Sequence, residues 1–398
     1  MLIRSPFLKR DSWKRGYVAA LFCLSLLISI TFATPLIQPA QSADLPLQRV
    51  ELAEDSTGLD QQLWGTGNDR QALLNSIDYS LGYLRSPSAA NAYQRYPVPG
   101  FSLERVRRSL VRFRQLITVA RSPEELQTSV RQEFDLYQSV GNDGNGTVGF
   151  TGYFQPTYAA SRVQTAEFRY PLYRMPANLD GLGNPTRLDL EGRDGLSGKG
   201  LLRGLELVWL RDRLQAYLVQ VQGSAQLQMT DGSTLSVGYA GHTDYPYVSM
   251  GRELVNAGKF RLEELSLPVL IQYFQQNPAD MDVYIPRNNR FVFFNETTGT
   301  PATGSLGVPV TAERSIATDK SLMPPGALAF IQTLIPQRDE AGNLVPQPAS
   351  RYVLDQDTGG AIRGAGRVDL FMGTGTLAGD RAGLINTTGQ LYYLLLKK

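Results

Sequence analysis

Short runs of alternating apolar and polar residues, separated by glycine-rich turns, begin after Gly141 and constrain the fold more than any other feature of the chain. Alternation with a period of two is typical of strands that bury one face. Residues 225–229 and 234–239 form the clearest hairpin, because the Asp231-Gly232 pair between them supplies the positive φ angles of a tight turn. The pattern predicts a chain that is mainly β with α-helices.

Apolar residues at helical spacing precede this region. They predict one helix from Leu73 to Leu84 and a second over residues 103–117. A third helix is predicted to begin at Ser122, where serine, proline and then Glu125 form a capping box with proline at the first helical position. We expect all three helices to be structural.

Later segments predict shorter elements. These are helices near 252–257 and 267–276, and strands near 291–295, 327–332, 352–357, 367–371 and 391–396. A chain of this length is sufficient for two medium domains, so we expect a β domain that is inserted into another or paired with it. Residues 44–68 are polar without a sustained period and are predicted to be a linker.

The N-terminus has the arrangement of a secretory signal. Residues 1–16 carry five basic side chains, and an uncharged apolar run follows from Tyr17 to Phe32. We expect cleavage near Ala43. An uncleaved membrane anchor is the alternative, although the apolar run is slightly shorter than the ~20 residues that span a bilayer. In both cases the rest of the chain is exported.

Cysteine and histidine each occur once, which excludes several kinds of catalytic site. Cys23 lies inside the apolar run after Phe22, whereas lipid attachment requires a small residue before the cysteine, so lipidation is not expected. Without the signal the chain has no thiol nucleophile, disulfide or cysteine-bound metal. His242 alone cannot form a two-histidine zinc site, and we expect it to be a solvated loop residue. Carboxylates remain the main candidates for acid–base catalysis.

The charge balance excludes an electrostatic nucleic-acid binder. Removal of residues 1–43 takes away five basic groups and one acidic group, which changes the formal net charge from +2 to −2. Nucleic-acid binding would need basic residues gathered into a patch. The sequence therefore predicts a neutral or locally charged substrate, with no metal and no cofactor.

The segment from Asp355 to Gly375 is the densest mixture of carboxylates, arginines and glycines, and it includes Gly373. Within it, Asp369 follows Val368 and precedes Leu370-Phe371, so its carboxyl should be partly desolvated on one face of a strand. Desolvation raises the pKa of an aspartate, and a raised pKa lets the carboxyl donate a proton to a leaving oxygen. Asp369 is the leading candidate for a general acid.

A structural role for these carboxylates is an equal alternative. Asp357 and Asp369 could pair with Arg363 and Arg367 to hold a glycine-rich turn. Asp357 also precedes Thr358 and two glycines, where an aspartate commonly caps a turn.

Two further stretches are weaker candidates for sugar binding. Residues 220–224 are predicted to alternate on a strand, from which Gln222 and Ser224 could offer an amide and a hydroxyl to a glycan; ordinary strand polarity is the alternative. In the stretch that begins at Thr151, Tyr153 could stack on a pyranose ring, although buried packing is the commoner use of an aromatic side chain.

Taken together and in order, these stretches resemble the MltA family of membrane-bound lytic murein transglycosylases. The resemblance covers most of residues 149–398. The matching blocks are residues 151–162, 168–176, 221–233, 239–254, 291–296, 307–326 and 357–383.

The resemblance implies a double-psi β-barrel with a second β domain inserted in it and a glycan groove between the two. The implied boundaries are 69–154 plus 302–398 for the helical region and barrel, and 155–301 for the inserted domain. Asp369 matches the family's catalytic acid, and Asp357 matches a supporting aspartate. The substrate-binding residues expected by this match are Thr151, Tyr153, Gln222, Ser224, Asp319 and Gly373.

The family's reaction cleaves the β-1,4 bond between N-acetylmuramic acid and N-acetylglucosamine without water and leaves a 1,6-anhydro ring. One carboxyl group suffices, because it first protonates the glycosidic oxygen and then accepts the proton of the C6 hydroxyl. The resemblance implies that peptidoglycan strands are the binding partner and that the protein is a monomer in the periplasm. Whether it also associates with the outer membrane is left open.

Three departures from the family pattern leave membrane attachment open, and two other functions are separate alternatives. The sequence lacks a lipid-attachment motif, His242-Thr243-Asp244 replaces an Asn-Gly type of turn, and no block matches before residue 149. A hydrolytic muramidase would need a second carboxylate such as Asp319 or Asp357. A wall-binding module without activity would use Asp369 only as a structural partner.

Overall fold

The computed structural model describes residues 45–51, 58–179, 181, 183–198 and 200–398. The predicted signal or anchor, residues 1–43, lies outside them. Residues from Leu45 to Lys398 form one compact unit. No helix within the described ranges is long and apolar enough to cross a membrane.

Two β-sheets account for the strands of the described residues. The strands are β1 (Leu47–Val50), β2 (Phe134–Ser139), β3 (Val148–Gln155), β4 (Thr157–Ser161), β5 (Tyr170–Tyr173), β6 (Glu206–Leu210), β7 (Ser224–Met229), β8 (Thr234–His242), β9 (Val292–Glu296), β10 (Ser315–Ala317), β11 (Leu328–Arg338), β12 (Leu344–Asp357), β13 (Arg367–Thr374) and β14 (Asn386–Leu396). The predicted hairpin is confirmed as β7 and β8, and the five later strands are confirmed as β9 and β11 to β14.

The larger sheet closes into a barrel. Its strand order is β1-β2-β14-β11-β12-β10-β13-β3, and β14 also pairs with β3, which joins six strands into a ring. The pairs β3 with β13 and β10 with β12 are parallel, whereas the remaining pairs of the ring are antiparallel. Closure leaves the ring without an exposed edge strand. The double-psi β-barrel expected from the family resemblance is confirmed.

The smaller sheet has the order β5-β6-β4-β7-β8-β9 and is contributed by residues between β3 and β10. Barrel strands therefore occur on both sides of it in the chain. We propose on this basis that residues 155–301 form an inserted domain, and that residues 69–154 and 302–398 supply the barrel and the helices packed on it.

Helices surround both sheets. They are α1 (Asp69–Tyr83), α2 (Pro87–Gln94), α3 (Leu103–Val119), α4 (Pro123–Glu133), α5 (Arg187–Glu191), α6 (Arg213–Gln222), α7 (Met250–Asn256), α8 (Leu267–Gln276), α9 (Met281–Tyr284) and α10 (Thr376–Gly383), with 3-10 helices at Gln61–Trp64, Leu262–Glu264, Pro278–Asp280 and Ile285–Arg287. The five predicted helices are confirmed as α1, α3, α4, α7 and α8. The Phe113 ring of α3 packs on Tyr352 of β12, with 4.8 Å between ring centroids.

The capping box at α4 is formed only in part. Ser122 Oγ accepts a hydrogen bond from the Glu125 amide at 3.2 Å, as predicted. The Glu125 carboxylate accepts its backbone bond from Arg121 N at 2.9 Å, one residue earlier than a capping box requires.

The prediction of a strand over residues 220–224 is wrong, because this segment contains the end of helix α6. Asp212 caps the helix by accepting a hydrogen bond from the Gln215 amide at 3.0 Å, and Gly223 ends it in the left-handed conformation with φ of 80°. Both ends carry ordinary helix signals. Only Ser224 belongs to a strand, as the first residue of β7.

The prediction of an irregular linker over residues 44–68 is also wrong where the structure describes that segment. Strand β1 pairs antiparallel with β2, and a 3-10 helix follows at Gln61–Trp64. Leu47 and Asp60 are both buried. This segment is held by residues distant in the sequence, and the polarity of the segment alone does not predict such contacts.

Asp60 is fixed by an ion pair inside the barrel domain. Arg314 Nη1 donates to Asp60 Oδ2 at 2.5 Å, and the Arg314 side chain is fully buried. The Tyr352 amide donates to the same oxygen at 2.9 Å. A buried charge without its partner is strongly unfavourable, so this pair ties the segment before α1 to strand β12.

Removal of the Asp60 carboxylate should destabilise the protein. Replacement by alanine leaves the Arg314 charge buried without this partner, and we expect Asp60→Ala to lower the free energy of unfolding by about 3–5 kcal/mol. Urea denaturation measures this change. The matched control is Asp78→Ala, which breaks an exposed pair with Arg114 and should cost less than about 1 kcal/mol. Equal losses in the two variants would contradict the role assigned to Asp60.

Candidate active site

The register of the barrel brings three candidate side chains into one row across neighbouring strands. Ala317 of β10 pairs with Asp357 of β12 on one side and with Asp369 of β13 on the other. Asp369 in turn pairs with Thr151 of β3. The two aspartates are therefore separated by two strand spacings, about 10 Å between their Cα atoms.

Two donors hold one oxygen of Asp369. The Thr151 hydroxyl donates a hydrogen bond to Asp369 Oδ1. Arg367 Nη2 lies 3.2 Å from the same oxygen and donates to Thr151 Oγ1 at 2.8 Å. Arg367 and Asp369 are two residues apart on β13 and therefore share a face of the strand. Within the described ranges Asp369 Oδ2 has no hydrogen-bond donor, so this oxygen is the one available to a ligand.

The Asp369 carboxyl holds its proton more strongly than an ordinary aspartate. Burial raises its pKa to about 6, the Arg367 charge and hydrogen bond oppose the rise, and the negative charge of Asp357 adds to it. The side chain keeps 18% of its surface accessible. The predicted desolvation of Asp369 is thus confirmed, and its physical cause is the closed barrel around β13.

Asp357 has both carboxylate oxygens engaged. Oδ1 accepts from the Ser305 amide at 2.7 Å and from its neighbour Thr358 at 2.8 Å. Oδ2 accepts from the Tyr153 hydroxyl at 2.8 Å. Burial raises the pKa of Asp357, and these hydrogen bonds oppose that rise. Asp357 does not form the usual turn-capping bond to the amide two residues on among the described residues, because its Oδ1 accepts from the adjacent Thr358 and from the distant Ser305.

Tyr153 contacts Asp357 from strand β3, which also carries Thr151, the donor to Asp369. It lies two residues after Thr151 on β3, and its ring packs on Phe371 of β13 with 5.1 Å between centroids. Its hydroxyl reaches Asp357. Thr151, Tyr153, Asp357 and Asp369 are therefore brought together, and the ring of Tyr153 is used in packing as well as at the site.

The other predicted site residues have contacts of their own. Gln222 Oε1 accepts from the Phe154 amide at 3.1 Å, which fastens the end of α6 to β3. Ser224 pairs with Gly238 in the smaller sheet. Asp319 is 6% exposed and accepts from the Ser321 amide, the Ser321 hydroxyl and the Gly364 amide at 3.1, 2.6 and 2.9 Å.

Gly373 supports the shape of strand β13 rather than offering a polar group. Its φ of 103° is unfavourable for any residue with a side chain. It lies where the pairing of β13 with β3 shifts register, between Phe371 and Thr374. An added Cβ would lie 3.3 Å from the Ala312 side chain.

Arg367 pairs with Asp369, as the structural alternative predicted, whereas Arg363 forms no ion pair with either aspartate among the described residues.

A polar cluster next to Asp357, formed by Lys320, Asp355 and Tyr393, was not predicted from the sequence. Lys320 Nζ donates to the Asp357 carbonyl and to the Asp355 carboxylate, and the Tyr393 hydroxyl donates to Asp355 at 2.7 Å. The apolar run Val353-Leu354 directly before Asp355 was the available signal.

Tyr247 was also missed. Burial raises the pKa of Tyr247, and the charge of Asp369 contributes to the rise. A Cβ added to Gly360, in the loop between β12 and β13, would lie 3.3 Å from Tyr247 Cβ. No group of three or more His, Cys, Asp or Glu side chains in the described part of the chain is arranged to bind a metal ion.

Comparisons with known proteins agree with this architecture. Residues 149–295 match the family described as "MltA specific insert domain", and residues 314–395 match the family described as "3D domain". The chain is 32% identical over 262 residues to membrane-bound lytic murein transglycosylase A of Escherichia coli (strain K12), covering 65% of this chain and 69% of that protein. The protein of the same name from Vibrio cholerae is 31% identical over 262 residues, covering 65% and 68%.

Solved structures share the whole fold. The crystal structure of E. coli MltA with bound chitohexaose is 25% identical, with a TM-score of 0.67, and the match covers 89% of this chain and 95% of that chain. The lytic transglycosylase LtgG of Burkholderia pseudomallei is 31% identical, with a TM-score of 0.51 and coverage of 91% and 98%. The closed barrel and the second sheet thus define the MltA fold. This chain belongs to the membrane-bound lytic murein transglycosylase A family.

Titration of Asp369 can be followed directly. Carbon NMR of labelled aspartate carboxyls, assigned with Asp369→Asn, should show one group that titrates near pH 6, because burial disfavours its charged form. Arg367→Gln should raise this pKa further, since the guanidinium opposes the effect of burial. A pKa near the ordinary aspartate value, or a downward shift in Arg367→Gln, would contradict the electrostatics described for the site.

Proposed function

We propose that the protein is a lytic transglycosylase, which cleaves the β-1,4 bond between N-acetylmuramic acid and N-acetylglucosamine in peptidoglycan and forms 1,6-anhydromuramoyl ends. The observation that carries this proposal is Asp369, a carboxyl whose pKa is raised to about 6 and whose Oδ2 has no donor among the described residues, in a barrel of the MltA fold. Its family relatives are named lytic murein transglycosylases, and one structural relative holds chitohexaose, a glycan.

The first step is protonation of the leaving oxygen. Protonated Asp369 donates from its carboxyl to the glycosidic oxygen as the bond from that oxygen to the muramoyl C1 breaks. A pKa of about 6 keeps roughly a tenth of the carboxyl protonated at pH 7, against about a thousandth at the ordinary aspartate value. Because the carboxyl is mostly buried, water competes poorly for the proton.

The second step returns the proton. The Asp369 carboxylate accepts the proton of the muramoyl C6 hydroxyl while that oxygen forms its bond to C1, which closes the anhydro ring and restores the acid. Arg367 and the Thr151 hydroxyl stabilise the carboxylate between the two steps by their contacts with Oδ1. The acid and the base are one group, so no water needs to be positioned.

A hydrolytic muramidase is supported less well. Such an enzyme needs a second carboxylate that activates water across the sugar ring. Asp357 accepts three hydrogen bonds from protein donors, and Asp319 likewise accepts three. Both oxygens of each carboxylate are thus engaged by protein donors, whereas Asp369 Oδ2 accepts no hydrogen bond from the described residues.

The proposed location of this activity is the periplasm, with the outer membrane as a possible site of attachment. The N-terminal signal or anchor pattern favours export, and the family relatives are named membrane-bound proteins. We propose that the protein acts as a monomer on peptidoglycan strands.

Product analysis tests the proposal. Purified peptidoglycan is digested with the protein or with Asp369→Asn, and the released muropeptides are examined by mass spectrometry. The intact protein should release products one water lighter than reducing muropeptides, and the variant should lose at least about 10²-fold to 10⁴-fold in rate because general acid catalysis is gone. Reducing ends would indicate hydrolysis, and no release by either protein would favour a binding module.

The pH dependence of cleavage follows from the same carboxyl. Only the protonated form donates in the first step, so kcat/KM should fall as the pH rises through about 6. Arg367→Gln should move this fall to higher pH, because loss of the guanidinium raises the pKa of Asp369. Rates measured over a pH series on one peptidoglycan preparation check both effects. A rate that rises through this range would remove Asp369 from the acid role.

A further inference from the structure

Two arginines, Arg290 and Arg363, lie close enough to repel each other where the loop between β12 and β13 contacts the smaller-sheet region. Arg363 lies in the loop between β12 and β13, and Arg290 lies directly before β9. The two segments are in close contact, since a Cβ added to Gly360 of the barrel loop would lie 3.1 Å from Arg290 Cζ and 3.3 Å from Tyr247 Cβ. The charge of Asp369 also contributes to the raised pKa of Tyr247.

Neither arginine has a carboxylate partner among the described residues. Arg290 Nη1 donates to the Tyr245 carbonyl at a long 3.4 Å, and Arg363 is exposed. Burial lowers the pKa of Arg290, the Tyr239 phenol opposes this, and the charge of Arg363 lowers it further. Asp244 offsets part of this positive charge but lies beyond ion-pair distance. Burial raises the pKa of Asp319, whereas its hydrogen bonds and the charge of Arg363 lower it, so Asp319 also offsets part of the positive charge. Neither guanidinium forms an ion pair with these carboxylates among the described residues.

An aromatic side chain lies beside the arginines. Tyr239 of β8 is 52% exposed, and its ring centroid is 6.0 Å from that of His242. His242 is the last residue of β8 and half-buried, not in the solvated loop that was expected. Its Nδ1 lies 2.8 Å from the Thr243 carbonyl and donates to it. Burial lowers the pKa of His242, the hydrogen bond to Thr243 opposes this, and both arginines lower it further.

We propose that Arg290 and Arg363, together with the exposed face of Tyr239, form a subsite for a carboxylate carried by the muramoyl units of the substrate. This inference rests on the proposed function. Guanidinium groups bind carboxylates through paired, charge-assisted hydrogen bonds, and an aromatic face packs on a sugar or peptide segment. In peptidoglycan the carboxylate is either the lactyl group of a peptide-free muramoyl unit or a carboxylate of the attached peptide.

The subsite gives the groove a preference that a catalytic carboxyl alone does not supply. Asp369 recognises only a glycosidic oxygen and a hydroxyl, which occur in any β-1,4-linked aminosugar polymer. A carboxylate bound by two arginines distinguishes muramoyl units from neutral N-acetylglucosamine units. The charge of the arginine pair, not its bulk, is the property to be tested.

Binding measurements in the Asp369→Asn background test the subsite without cleavage. Isothermal titration is carried out with peptide-bearing glycan strands, with peptide-free strands, and with peptide-free strands whose lactyl carboxyls are converted to neutral amides. Adding Arg290→Gln and Arg363→Gln together should weaken binding of carboxylate-bearing strands by at least about tenfold, because charge-assisted hydrogen bonds are lost. Amidated strands should bind the two proteins equally, within about twofold.

The control variants separate charge from shape. Arg252→Gln removes an exposed arginine of α7 and should leave all affinities unchanged. Arg290→Lys with Arg363→Lys keeps the charge and should retain part of the affinity, whereas a purely steric role would be lost to the same degree as with glutamine. Unchanged thermal unfolding of each variant confirms the fold.

The outcomes are distinct. A loss seen already with peptide-free strands supports the lactyl group, and a loss confined to peptide-bearing strands supports a peptide carboxylate. An equal loss on amidated strands, or no loss on any strand, would overturn the subsite. Failure of the proposed function looks different, since the protein with Asp369 intact would then release no anhydro products, whatever the arginine variants bind.

Discussion

The pairing of β3 with both β13 and β14 closes the barrel, and the site depends on that closure. It sets Asp369 between Thr151 of β3 and Ala317 of β10. An open sheet would leave the carboxyl in water with an ordinary pKa. Closure of the six-stranded barrel is therefore the cause of the raised pKa of Asp369.

Opposing electrostatic effects then tune that side chain. Burial and the charge of Asp357 favour the protonated acid, whereas Arg367 favours the carboxylate, and the balance falls near 6. A group that must both give and receive a proton near neutral pH needs such a balance. Asp357 contributes its charge while its own oxygens stay bound to protein donors, which leaves Asp369 as the single reactive carboxyl. Arg290 and Arg363 supply positive charge at the proposed subsite, whereas Asp369 in the barrel supplies the acid.

Local sequence patterns predicted much of the fold and of the site. They failed where contacts between residues distant in the sequence determine the structure. Asp369 was found because its apolar neighbours in β13 report burial, and the β7–β8 hairpin because its turn residues fix the backbone. Residues 220–222 were misassigned to a strand although Asp212 and Gly223 carry helix-end signals. The ion pair of Asp60 with Arg314 and the meeting of Arg290 with Arg363 join residues far apart in the chain, and no local pattern reveals such pairs.

The central claim is that one buried carboxyl replaces both the second carboxylate and the water of a hydrolase. The most direct measurement is digestion of purified peptidoglycan in water enriched in the heavy oxygen isotope, followed by mass spectrometry of the released muropeptides. The account predicts that the new ends contain no oxygen from the solvent, because the muramoyl C6 oxygen attacks C1. Incorporation of one solvent oxygen at each new end would contradict it and would require a water-activating base at this site.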